Sequence, residues 1–178
     1  MSFFSLGLNK RNEKIKGLVA STGQHAFQLA LQYSNDTDTA KDIVQQSLLK
    51  VLGKNRLPND GLNYWFLTIV RNTAIDLIRS EQIKQRFADE VKQHELRTKT
   101  TESTSDALLQ KEQRLIDKTR IDVALKMLTI EQREIIVLRD LQDYSYKQIA
   151  IILGIAKGTV MSRLHRARLA LKDEVMKL

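Results

Sequence analysis

Cysteine is absent from the 178 residues, which excludes a disulfide scaffold, a thiolate zinc site and a cysteine nucleophile. Proline occurs once, at Pro58, and glycine seven times, so few positions oblige a helix to stop. Long apolar runs are missing as well. The longest, residues 149–156, falls well short of the roughly 18 that a membrane-spanning helix needs. Near the N-terminus the apolar stretch 3–8 precedes Lys10 and Arg11, whereas a secretory signal places charge first and continues into a longer apolar core. The expectation is a cytoplasmic protein without membrane insertion.

What is abundant is positive charge. The chain carries 29 Lys and Arg against 21 Asp and Glu, a net charge of +8. Its distribution says more than its sum. Between Asp143 and Asp173 there is no acid, yet Lys147, Lys157, Arg163, Arg166, Arg168 and Lys172 all lie there. A segment of that kind suits a polyanion.

Apolar residues recur at spacings of three and four rather than two, which predicts an all-α chain with no strand. A first helix is expected over about 13–33, broken near Ser21 to Gly23, with Leu18, Val19, Phe27, Ala30 and Leu31 facing inward. A second, over about 39–52, turns Ile43, Val44, Leu48, Val51 and Leu52 to one face and ends at Gly53. Residues 54–61, with Pro58 and Gly61, read as a loop. A third helix over about 63–85 directs Phe66, Ile69, Val70, Thr73, Leu77 and Ile78 to a core, and Trp65 reads as part of that packing. The run RTKTTESTSD at 97–106 has six Ser or Thr and nothing apolar to bury, the composition of a linker. Two small helical domains follow from this, 1–92 and 113–178, joined by a polar linker over 93–112. In the second, Thr129 with Gln132 and Ser145 with Gln148 form two capping boxes that start short helices near 130 and 146.

The most informative stretch is YKQIAIILGIAKGTVMSRLHRARLALK, from Tyr146 onward. Two helices crossing steeply around a tight turn need a small residue at their contact, a glycine able to take positive φ, and a branched residue closing the corner. Ala150, Gly154 and Val160 fill those roles, and Val160, Leu164, Ala167 and Leu171 form the buried stripe of the second helix. Lys157, Thr159, Met161, Ser162, Arg163, His165 and Arg166 remain outward. Hydroxyls and guanidinium groups on one helix face are what groove reading requires.

No catalytic or metal constellation accompanies this helix pair. Asp36, Asp38 and Asp42 have the spacing of a calcium loop, but Lys41 and Ser47 occupy its glycine and closing-glutamate positions. His25, His94 and His165 are dispersed, and no glycine-rich phosphate loop is present. Neither a cofactor nor a small-molecule substrate is implied, and the chain does not read as an enzyme.

The stretch from Ser145 to Lys172 resembles the region-four DNA-binding helices of bacterial RNA polymerase sigma factors, in particular the small two-domain extracytoplasmic-function group. LTIEQREIIVLRDLQDYSYKQIA is similar to the preceding helices of that region, DTAKDIVQQSLLKVL to the polymerase-binding helix of region two, and YWFLTIVRNTAIDLIR to its promoter-melting helix. The motifs cover about 25–172 in the family's order. The resemblance implies a non-enzymatic alternative sigma factor that binds core RNA polymerase, directs it to a promoter class and assists opening, and it allows for an anti-sigma factor. By the same resemblance Asp42, Gln45 and Gln46 contact polymerase. Lys54, Arg56, Asn59, Arg71, Asn72 and Arg79 hold the single-stranded minus-ten element. Tyr146, Lys157, Thr159, Met161, Ser162, Arg163, His165, Arg166 and Arg168 read the minus-thirty-five duplex. Three departures stand out: Gln46 where the family usually has an acid, Leu48 where it has Phe, and Ala156, which cannot cap, where Ser or Pro is common. Without the resemblance, Asp42 and Gln45 are polar positions on the outer face of a helix. The alternative is a stand-alone helix-turn-helix regulator whose N-terminal bundle senses a ligand or dimerises.

Overall fold

The computed structural model describes residues 3–34, 36–89 and 120–178; the whole of the expected 93–112 linker, with the 97–106 run, lies outside them. Among the described residues every regular element is a helix. Helix α1 spans Phe3–Ser34, α2 Thr37–Leu52 and α3 Leu62–Asp89. In the C-terminal part, residues 120–127 form α4, followed by α5 over Ile130–Ile136, which runs into a π-helical turn at Val137–Leu141. Helices α6, Tyr146–Leu153, and α7, Lys157–Lys177, complete the chain.

Helix α1 is longer than the sequence pattern suggests and does not break at Ser21 to Gly23. Ser21 donates its hydroxyl to the Leu18 carbonyl at 3.3 Å, and Thr22 is buried in the bundle. A helical glycine costs only about 1 kcal/mol, which the packing of Leu18, Ala26, Leu29 and Ala30 on either side outweighs. Val19, expected inward, is instead exposed, at the rim of the stripe in which Ile15 and Leu18 are buried.

Helix α2 starts at Asp36, whose carboxylate accepts from the Asp38 and Thr39 amides at 2.9 and 3.0 Å. These bonds, that to Thr39 first, hold the carboxyl below its ordinary range. Ile43 and Val51 are buried against α1 and α3, while Leu52 is half exposed rather than core. Phe66, Leu67, Val70 and Ala74 of α3 are fully buried. Trp65 packs against the same core, as expected.

Both capping boxes form: Thr129 Oγ1 accepts from the Gln132 amide and Ser145 Oγ from the Gln148 amide, each at 3.3 Å. Gly154 ends α6 with φ of 67°, and a Cβ there would meet nothing within 4 Å. The left-handed backbone, not crowding, is why glycine stands in the turn. Val160, Leu164 and Ala167 are buried as the spacing predicts.

The two helical units are packed against one another. Helix α3 lies along α6, and the C-terminal half of α1 along α5 and the π turn. Tyr33 of α1 donates its hydroxyl to Glu134 of α5, and the same carboxylate accepts from Arg71 of α3, Nε at 2.8 Å and Nη2 at 3.3 Å. Nearby, His25 Nδ1 lies 3.0 Å from the Tyr144 hydroxyl, and Gln142 Nε2 donates to the His25 carbonyl at 2.9 Å.

Candidate nucleic-acid interface

Helix α7 presents Lys157, Thr159, Met161, Ser162, His165 and Arg166 to solvent on one continuous face. No side chain caps its first turn, because Ala156 offers no acceptor. Its leading amides are therefore free to receive an anion, beside the Lys157 ammonium.

Three residues expected on this face are differently placed. Arg168 is held by Asp140 of the π turn, its Nε 3.1 Å from Oδ2, and that hydrogen bond raises its pKa. Arg163 is mostly covered and sits 3.8 Å from Glu131. Tyr146 is half-buried beneath the Arg139 guanidinium, 5.4 Å above its ring. The acid-free window thus borrows acids from outside itself. Sequence distance hid Glu131 of α5 and Asp140 of the π turn, both of which packing brings alongside α7.

In the N-terminal bundle the residues expected to hold a single strand divide among four places. Lys54 and Asn72 line one cavity of about 370 Å³ with Lys50, Gly53 and Ile69. Arg56 and Asn59 line another of about 440 Å³, on the side of the loop facing α1. Arg79 is exposed further along α3.

Arg71 faces away from all of these. Expected as a phosphate partner beside Asn72, it sits about 100° round the helix from that residue and points into the contact with α5, one-fifth exposed against a carboxylate that is 1% exposed. Burial works to lower its pKa, but the hydrogen bonds and charge of Glu134 prevail and leave it raised. Tyr33, buried beside the same carboxylate, has its phenol pushed well above the ordinary range, by burial first and by Glu134 second.

Lys50 went unnoticed in the sequence. It hydrogen-bonds Thr73 Oγ1 at 3.0 Å and bridges α2 to α3 at the cavity mouth. Only its place four residues before Lys54 could have hinted at it.

On α2, Asp42, Gln45 and Gln46 are exposed together, with Leu49 and Leu52 continuing the same side. Leu48 packs on the core, so its departure from the family's Phe bears on bundle packing rather than on the exposed face.

A basic helix-turn-helix face on one unit and a cationic cleft on the other are two surfaces suited to a polyanion. Comparison with known proteins places the chain. The family description Sigma-70 region 2 matches residues 18–83, and Sigma-70, region 4 matches residues 118–171. The chain is 34% identical over 158 residues to the ECF RNA polymerase sigma factor SigL of Mycobacterium tuberculosis, covering 85% of this chain and 83% of that protein. It is 28% identical over 170 residues to the RNA polymerase sigma factor YlaC of Bacillus subtilis, covering 94% and 95%. Among solved structures, the sigma factor RpoE of Bartonella quintana, crystallised with the anti-sigma factor NepR, superposes with a TM-score of 0.69 at 28% identity, over 93% of this chain and 98% of that one.

These matches define a sigma-70 type transcription initiation factor. The chain belongs to the ECF RNA polymerase sigma factors. That membership sets aside the stand-alone regulator.

Proposed function

We propose that this chain carries core RNA polymerase to a promoter class by gripping the enzyme through α2, the minus-thirty-five duplex through α7 and the opened minus-ten strand through the cavity between α2 and α3. The observation that carries this reading is the cavity lined by Lys50, Lys54 and Asn72. The Lys54 ammonium, with that of Lys50 shared with Asp76 at 3.9 Å, can neutralise phosphates while the exposed Asn72 amide is available to a base edge. On α2, Asp42, Gln45 and Gln46 offer polar contacts to polymerase, and Leu49 and Leu52 add apolar area.

On α7, Lys157, Thr159, Ser162 and the leading amides suit phosphates, and Arg166, His165 and Met161 face the groove floor. Arg71 has no part in strand capture while Glu134 holds it. The chain supplies recognition only, and phosphodiester chemistry belongs to polymerase, in the cytoplasm. An anti-sigma factor is included in the proposal, because the Bartonella relative is bound to one.

Asn72→Ala tests the reading. Permanganate footprinting beside a duplex-binding assay should show impaired strand opening with closed-complex binding retained. Normal opening would contradict the role of Asn72.

A further inference from the structure

The second cavity brings together side chains from parts of the chain more than forty residues apart. The early turns of α1 supply Lys10, Arg11 and Lys14, and the loop after α2 supplies Asn55, Arg56 and Asn59. Lys10 and Lys14 are one helical repeat apart and both exposed, as is Arg56. Glu13, the acid nearest in sequence on α1, is engaged by Lys16 at 2.9 Å and leaves these three cations to the cleft.

Arg11 has a different task. Its Nη2 donates to the Leu52 and Lys54 carbonyls, the latter at 2.9 Å, which ties α1 to the end of α2 and fixes the loop. Its Nε is buried and has no hydrogen-bond partner among the described residues.

Folding gathers four cations here with no acid among the lining residues, an arrangement that repels itself until an anion enters. The chemistry of the lining is more specific than charge alone. Cations suit phosphate oxygens, Asn55 and Asn59 can pair with base edges, and Leu57 offers an apolar surface to a sugar or base face.

The two cavities share one wall. Lys54 lines the cavity toward α3, while its carbonyl accepts from Arg11 on the α1 side. The loop thus borders both cavities, Gly53 and Lys54 lining one and Asn55 and Arg56 the other.

We infer that Lys10 and Lys14 of α1, with Arg56 of the facing loop, bind backbone phosphates of the single-stranded promoter DNA next to the nucleotide held at Asn72. The inference rests on the proposed function above and extends its DNA path onto α1. It also gives a role to the N-terminal basic residues, which no sequence motif accounts for.

The test uses the full chain assembled with core polymerase and two DNA probes. One is a fork whose minus-ten strand is single; the other is a blunt duplex carrying only the minus-thirty-five element. In Lys10→Ala/Lys14→Ala, with Arg11 left intact to hold the loop, the slope of log affinity against log salt on the fork should fall by about 1.4, two single-strand contacts at about 0.7 each. Duplex binding and polymerase binding should stay at the wild-type level. Arg56→Ala should lower the fork slope by about 0.7. An unchanged fork slope in the double variant would overturn the inference. So would an equal loss on fork and duplex, which would mark these lysines as duplex contacts. A wild-type complex that binds the fork no better than the duplex would instead refute the reading on which the inference rests. A competing mononucleotide that erases the fork preference at low concentration would reassign the cleft to a free nucleotide and overturn its role in strand binding.

Discussion

Glu134 and Arg71, 63 residues apart in the chain, meet in a two-pronged ion pair between the two helical units, with Nε–Oε2 at 2.8 Å. Glu134 is fully buried, and Tyr33 donates a third hydrogen bond to it. A carboxylate so enclosed is tolerable only because each oxygen has a partner. The pair therefore sets the relative placement of the N-terminal bundle and the helix-turn-helix.

Removing the carboxylate should loosen that placement. Glu134→Ala leaves the Tyr33 hydroxyl and a mostly covered guanidinium without their acceptor, at a cost of about 3 kcal/mol. Thermal unfolding should shift downward, and solution scattering should report a larger radius of gyration. Glu134→Gln, which keeps an acceptor, should lose less. Unchanged stability and dimensions in Glu134→Ala would show that the contact does not hold the units together in solution.

The same cluster predicts an alkaline limit. Burial and Glu134 raise the pKa of the folded Tyr33 phenol, whereas the unfolded phenol ionises near 10.0. Above that pH the unfolded chain binds fewer protons than the folded one, so this contribution is complete below it and declines as pH rises. Chemical denaturation between neutral pH and strongly alkaline pH should show a steeper loss in the wild type than in Tyr33→Phe. Equal slopes would contradict a buried neutral phenol.

On the recognition helix, Arg166 and Arg168 should behave differently although both are exposed. Among the described residues Arg166 has only its own helix as partner, through the Ser162 carbonyl at 3.4 Å, whereas Asp140 occupies Arg168. Arg166→Ala should cost about 1 to 3 kcal/mol on the preferred promoter and relax its selectivity. Asp140→Asn should release Arg168 and steepen the salt dependence of duplex binding by about 0.9. A uniform loss across promoter sequences for Arg166→Ala would mark it as a phosphate contact instead.

Local rules made much of this molecule legible in its sequence. The capping boxes at Thr129 and Ser145, the left-handed Gly154 and the Val160, Leu164 and Ala167 stripe all depend on residues within a turn or two of each other. What escaped were pairings across the chain. Nothing near Arg71 in sequence reveals Glu134, and nothing near Arg168 reveals Asp140; both acids arrive through packing of α5 and the π turn. The uninterrupted α1 was missed for a related reason, since buried neighbours on both sides of Gly23 override its weak local preference. The π turn itself, which buries Val137 and Leu138 and is followed by Asp143 at φ of 55°, has no residue signal in the sequence. The two clefts were half visible: Lys54, Arg56 and Asn59 stand together in the loop, but their partners Lys50, Lys10 and Lys14 come from other helices.

The central claim is that this chain selects promoters as a subunit of RNA polymerase. The direct measurement is transcription with purified chain and core polymerase on a library of promoter fragments, run beside duplex binding by the chain alone. Transcripts should start at one class of promoter only when both proteins are present, and the chain alone should bind duplex weakly. No defined start site with core polymerase, together with tight sequence-specific binding in its absence, would contradict it.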